Sequence, residues 1–239
     1  MPVARRPISL PAGTAHTLAF VQRHLPRRRC RVLEVGCGDG ELAAALQQAR
    51  CSVVAIDEDA TAVRAARRRG VDARRAHWPD FCDGLFDAIL FARSLHHVDD
   101  LRASVAHAVR QLHPGGRLLV EDFDFAAADA ATAMWLHGVA SGLVAAGALI
   151  ARRSFVAVLL GRKAPLRAWQ HDHHDVHSDK TIRRVLAATG LRLQEARTEY
   201  LFRYLEPTAK GVQERVRRAE AKLIAAGAIV PLGRRFVLG

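Results

Sequence analysis

Residues 32 to 40 read Val-Leu-Glu-Val-Gly-Cys-Gly-Asp-Gly, a short β-branched run that delivers three glycines at alternate positions straight into a helix-forming stretch. Glycine accepts the positive φ that tight turning demands, and a helix starting there leaves its first amides pointing over the turn. A chain built this way lays a flat or charged ligand against its own backbone. The spacing departs from the G-x-G-x-x-G fingerprint of dinucleotide sites: Glu41 follows Gly40 directly, so the third glycine falls one position early and hydride transfer is the weaker reading.

The segments around this turn alternate in period. Thr14 to Leu25 reads as an amphipathic lead-in helix, and Arg31-Val-Leu-Glu-Val as a first strand. Glu41 to Arg50 is helical, Ser52-Val-Val-Ala-Ile a second strand, Asp59 to Arg69 helical up to Gly70, and Val71 to Ala76 a weak third strand. Phe86-Asp-Ala-Ile-Leu-Phe follows as a fourth strand, Asp99 to Leu112 as a helix closed by His113-Pro-Gly-Gly, and Arg117 to Phe123 as a fifth strand. Strands alternating with helices of this length imply right-handed βαβ crossovers. The expectation is an α/β fold: a Rossmann-like, doubly wound, mostly parallel sheet with a helical insertion after strand five.

The 239 residues are expected to form a single domain, with a cofactor-binding core over 14–125, a helical insertion or lid over 126–178 and a completion of the sheet over 179–239. Within the insertion Ala126 to Ile150 reads as a long apolar helix and Ser154 to Leu160 as a second. Beyond it, helices are expected at Asp179 to Thr189 and Thr208 to Ala226, with strands at Leu191 to Thr198 and Arg234 to Leu238.

Val53-Val-Ala-Ile-Asp57 ends the second strand in a carboxylate about 20 residues after the glycines, where bidentate bonds to vicinal ribose hydroxyls are geometrically natural. The glycine run with Glu34 before it, this strand, the run from Phe86 to Val98 and His113-Pro-Gly-Gly followed by strand five together resemble the class I S-adenosylmethionine-dependent methyltransferases, over residues 30 to 123. The resemblance implies S-adenosylmethionine as cofactor, packed on Glu34, Gly36, Cys37 and Gly38 and bonded by Asp57 and its neighbour Glu58. Many relatives place an acid after the third strand to bond the adenine amino group, with a stacking residue next. Here His77 stands at that position, Trp78 follows, and Asp80 lies three positions late, so either His77 or Asp80 would make the bond. Arg93 and His97, after strand four, complete the expected cofactor contacts.

Methyl transfer from a sulfonium is an in-line displacement, so the protein aligns the acceptor, excludes water and, for a protonated acceptor, removes a proton. His96 is a candidate base by position, because open α/β sheets hold ligands at the C-terminal ends of their strands. Glu121 and Asp122, ending strand five, either face the acceptor or belong to a solvated loop. His171-Asp-His-His-Asp-Val-His177 gathers four histidines and two aspartates in seven residues. It reads as a divalent-metal site, as a lid carrying a base at His174 or His177, or as a solvated connection; the site residues adopted include no metal ligand. Connectivity carries the segment to the C-terminal rim of the strands, over the methyl group.

The acceptor is expected to be a small organic molecule. The alternatives are an RNA methyltransferase using the basic surface, or a cofactor-binding partner protein without turnover. The net charge of +12 suits polyanions, but of 36 basic residues all except four are arginines dispersed along the chain, without the aromatic interleaving of a single-strand platform. Cys30, Cys37, Cys51 and Cys82 show no C-x-x-C spacing, which reads as free thiols in a reducing cytoplasm. The N-terminal stretch lacks an apolar signal core, and the longest apolar run, Gly138 to Ala151, is short of the roughly 20 residues a bilayer needs. A cytoplasmic location is expected, and the oligomeric state is open.

Overall fold

The computed structural model describes residues 10–26, 29–49, 51–124, 127–148, 177–204 and 211–239. Seven strands form one mostly parallel sheet, with β1 (Arg31–Val35), β2 (Ser52–Asp57), β3 (Asp72–Arg75), β4 (Phe86–Ala92), β5 (Leu112–Phe123), β6 (Leu193–Thr198) and β7 (Gly233–Leu238) in the order β3-β2-β1-β4-β5-β7-β6. β1 runs parallel to both β2 and β4, and β2 parallel to β3, whereas β6 and β7 are antiparallel. The direction of winding reverses between β1 and β4. Such a switch point opens a crevice at the carboxyl ends of its strands, just where the glycine run begins. The expected α/β, Rossmann-like architecture is the one observed.

By contacts the chain forms two compact units, one of residues 1–92, 103–119 and 239, the other of 93–102 and 120–238. In the first, Val32, Leu33, Val53, Val54, Ala88, Ile89 and Leu90 are all buried, as expected where helices cover both faces of parallel strands. The helices there are α1 (Ala12–His24), α2 (Glu41–Gln48), α3 (Ala60–Arg68) and most of α4 (Leu101–Arg110). Asp59 caps α3 by accepting from the Thr61 amide at 2.7 Å, which leaves Asp57 to other work. Gly40, at φ 76°, enters α2. A Cβ there would lie 2.5 Å from Ala66 Cβ, so the third glycine lets the turn pack against α3. β5 starts earlier than the His-Pro-Gly-Gly turn suggests: Gly116 lies against the start of β4, where a Cβ would meet the Phe86 and Asp87 carbonyl oxygens at 3.1 and 3.2 Å.

In the second unit α5 (Ala130–Ala145) falls within the long helix expected after strand five, and Asp129 caps it through the Thr132 amide at 2.8 Å. α6 (Asp179–Ala187) is capped by Ser178, and Asp179, the first residue of the helix, pairs with Arg234 at 3.4 Å. α7 (Val212–Ala225) carries the fully buried Glu220, whose carboxylate accepts from the backbone amides of Tyr200, Leu201 and Phe202 at 2.7–3.1 Å. Those three bonds anchor the short 3-10 turn Leu201–Tyr204. The helix expected at Ser154 to Leu160 lies outside the described residues. Among the described residues no helix is long and apolar enough to cross a membrane.

Candidate active site

The glycine turn is held by its own backbone. The amides of Gly36 and Cys37 both donate to the Ile56 carbonyl, at 2.9 and 3.0 Å, and Gly40 donates to Cys37 at 3.0 Å. Gly36, Gly38 and Gly40 have φ of 72°, 55° and 76°, a region that any side chain with a Cβ enters at a cost. Asp57 ties the two motifs together. Its Oδ2 accepts from the Gly38 amide at 2.8 Å, and its Oδ1 from the Asp59 amide at 2.9 Å. A carboxylate has about four lone-pair directions, so each oxygen keeps capacity for a hydroxyl. Among the described residues a Cβ on Gly38 would meet nothing within 4 Å, so they leave open space over the turn.

Glu34 is buried in β1 and Glu58 follows Asp57 at the surface. Cys37 is also buried. Burial first, then the Glu34 and Asp57 carboxylates, push its thiol up to about 12, so it serves as a small apolar filler and not as a nucleophile. His77 is half exposed, with Nε2 3.4 Å from Glu58 and Nδ1 3.3 Å from Asp80, which brings together the two residues that sequence reasoning weighed for one role. Trp78 is buried, edge-on to Phe91 at 5.7 Å and to His107 at 4.8 Å, so its ring serves the core. Its indole Nε1 has no hydrogen-bond partner among the described residues.

The second unit holds a cluster that neither motif nor spacing announced. Glu121, 1% exposed, accepts from Arg93 at 3.3 Å, from Arg203 at 2.8 Å and from both Nε and a terminal nitrogen of Arg235 at 2.8 and 2.6 Å. Arg93, expected among the cofactor contacts, thus meets a carboxylate inside the protein. Its φ of 62° makes it the positive-φ non-glycine among the described residues, and its amide donates to the Glu121 carbonyl at 2.7 Å. Burial lowers the pKa of Arg203 from the usual guanidinium range. The available signal was Arg234-Arg235 in an otherwise apolar last strand, since paired arginines in a buried strand require buried acids. Arg234 finds Asp124 at 3.1 Å.

Asp122 is buried as well. Its Oδ1 lies 2.8 Å from His96 Nδ1 and accepts from the Phe123 amide at 3.0 Å, while its Oδ2 accepts from the His96 amide at 3.2 Å. A carboxylate only accepts, so the proton of the neutral ring sits on Nδ1 and the lone pair on Nε2. The His96 ring is stacked obliquely against His97 at 3.9 Å and Phe123 at 4.6 Å, and His97 itself is exposed. His177, the last of the histidine cluster, puts Nε2 2.6 Å from the Val98 carbonyl. His171, His173 and His174 lie outside the described residues.

A family model for a methyltransferase domain matches residues 14–196. Over 114 residues the chain is 35% identical to an uncharacterized methyltransferase of Mycobacterium tuberculosis, a match covering 45% of this chain and 58% of that protein. Over 112 residues it is 37% identical to the ubiquinone biosynthesis O-methyltransferase of Xylella fastidiosa, covering 43% of this chain and 46% of that one. The chain spans about half the length of the curated relatives it matches. Its fold is similar to that of an S-adenosylmethionine-dependent methyltransferase of Thermotoga maritima, a possible histamine N-methyltransferase, with a TM-score of 0.55 at 15% identity over 94% of this chain and 87% of that one.

Proposed function

The chain belongs to the methyltransferase domain family, of the class I, S-adenosylmethionine-dependent type, and from that premise we propose that it methylates an oxygen, nitrogen or carbon of a small organic molecule. The observation that carries the reading is the clamp of Asp57 on Gly38: a left-handed glycine turn and a strand-end carboxylate locked together beside open space at a switch point. Glu34, Gly36, Cys37, Gly38, Asp57 and Glu58 are the residues that would hold S-adenosylmethionine, with His77 and Asp80 at the adenine end. The cofactor supplies an electrophilic methyl group on a sulfonium.

The rest falls to the chain's own groups. His96 is the proposed base for a protonated acceptor: Asp122 fixes its tautomer and leaves Nε2 to take a proton. His177 is the weaker choice, because its Nε2 is engaged by the Val98 carbonyl. The Xylella relative is by its name an O-methyltransferase of ubiquinone biosynthesis, which supports a small-molecule acceptor.

Isothermal titration of the full chain with S-adenosylmethionine and with its demethylated product tests the reading. Binding of both is expected, and loss of at least about a hundredfold in affinity in Gly38→Arg, whose side chain would enter the open space over the turn, about 2.7 kcal/mol. No binding of either compound to a folded wild-type protein overturns it. Labelled methyl transfer into fractions of a metabolite extract then names the acceptor.

A further inference from the structure

At the opposite end of β1 and β2 from the glycine turn, two cysteines that lie 21 positions apart in sequence meet. Cys30 precedes β1 and Cys51 precedes β2, and the register pairs the next residues, Arg31 with Ser52. The Ser52 amide donates to the Cys30 carbonyl at 2.8 Å, so the backbones are already joined there. Side chains at matching positions of parallel neighbours point to the same face. The two sulfurs therefore lie 3.3 Å apart, with both thiols free. Neighbouring strands run about 4.8 Å apart, inside the Cα separations of about 4.4–6.8 Å that a disulfide spans, so a bond needs only side-chain rotation. Cys30 is buried and Cys51 half-buried, and both line a cavity of about 510 Å³ together with Arg29, Arg31, Ser52 and Asp87.

We propose that Cys30 and Cys51 form a modification site, a dithiol that small two-electron oxidants of the peroxide class convert to an intramolecular disulfide joining the start of β1 to the start of β2. Cys51, the more exposed of the two, meets the oxidant first. Its sulfur attacks one peroxide oxygen, the O–O bond breaks, and a sulfenic acid and one water form. Cys30 then attacks that sulfur and expels the second water. Both S–H bonds are lost, one S–S bond is made, and one peroxide is reduced to two waters. Burial and the hydrogen bond shared with Cys30 push the Cys51 thiol up to about 12, which makes the step slow at neutral pH and places the readout on the end product. The site lies about five residues of strand, roughly 17 Å, from the glycine turn and is independent of the methyl-transfer reading.

The test is incubation of the full chain with hydrogen peroxide, blocking of remaining thiols, and peptide mapping by mass spectrometry. The expected product is a linked Cys30–Cys51 peptide pair, two hydrogens lighter, which dithiothreitol separates. Closing a loop of this size should raise Tm by about 5–10 °C. In Cys30→Ser the same treatment should leave Cys51 as sulfenic or sulfinic acid, with no rise in Tm. Should Cys82 oxidise between molecules while Cys30 and Cys51 stay open to alkylation, the proposal is wrong. It is equally overturned if Cys51 in the wild-type protein goes to sulfinic acid without linking to Cys30. The wild-type map decides the matter even if the variant fails to fold.

Discussion

The glycine turn and the cluster at the end of β5 are built by opposite means. The turn is made of backbone: carbonyls and amides of residues 36–40 and 56–57, with one carboxylate as a clasp. The β5 cluster is made of side chains whose partners lie 26 to 114 positions away, Asp122 with His96 and Glu121 with Arg235. A backbone site depends on its own glycines more than on the side chains that surround it. A side-chain site can be emptied by replacing a single carboxylate. The contrast also sets how each region should fail.

The largest effect is expected at Glu121. Glu121→Leu removes the carboxylate that Arg93, Arg203 and Arg235 share, and breaking a buried ion pair from one side costs about 3–5 kcal/mol. Urea unfolding measures it, and a loss below about 1 kcal/mol would mean that the arginines do not depend on this acid. Next comes Asp122→Asn, which keeps the shape and loses the fixed tautomer of His96. We expect kcat to fall about a hundredfold, about 2.7 kcal/mol of barrier, with cofactor affinity unchanged. An unaltered kcat would remove His96 from the chemistry.

The turn should answer differently at two of its own glycines. Gly40→Ala puts a methyl group 2.5 Å from Ala66 Cβ at a φ of 76°, so the fold should lose about 2–4 kcal/mol. Gly38, with open space above it, bears only the backbone term of about 1–2 kcal/mol when replaced by alanine. Equal losses at the two positions would show that the turn does not pack on α3 as described.

The last effect concerns pH. Burial raises the Glu220 carboxyl to about 7 from an ordinary 4.5, against the pull of its three amide bonds. The folded protein therefore holds this proton more tightly than the unfolded chain. Its contribution is fully present below pH 4.5 and is lost as pH rises through 7, a decline of about 3 kcal/mol. Glu214 on the same helix has the opposite sign: the Arg217 bond, then Arg218, lowers it to about 2, and its exposed contribution fades as pH falls below 4.5. Unfolding from pH 4.5 to 7.5 in wild type and Glu220→Gln separates them, because only the wild type should weaken across that range.

The same contrast explains what could be read from the chain. β1, β2 and β4 are near-continuous apolar runs, and Asp59 serves as the cap that frees Asp57, so local pattern was enough. The start of β5 was hidden because His113-Pro-Gly-Gly reads as a turn, while contact with β4 draws it into the strand. The pairing of His96 with Asp122 and the meeting of Cys30 with Cys51 depend on which strands are neighbours. Strand order is a tertiary property, and no window of sequence contains it.

The clasp of Asp57 on Gly38 also has a dynamic consequence. An amide bonded to a carboxylate exchanges with solvent deuterium only when that bond opens. Gly38 should thus be protected before any cofactor arrives, and Asp57→Ala should release it to near the rate of an unstructured glycine. The turn would then be a surface prepared in advance, and a ligand settling on it would have little chain left to order.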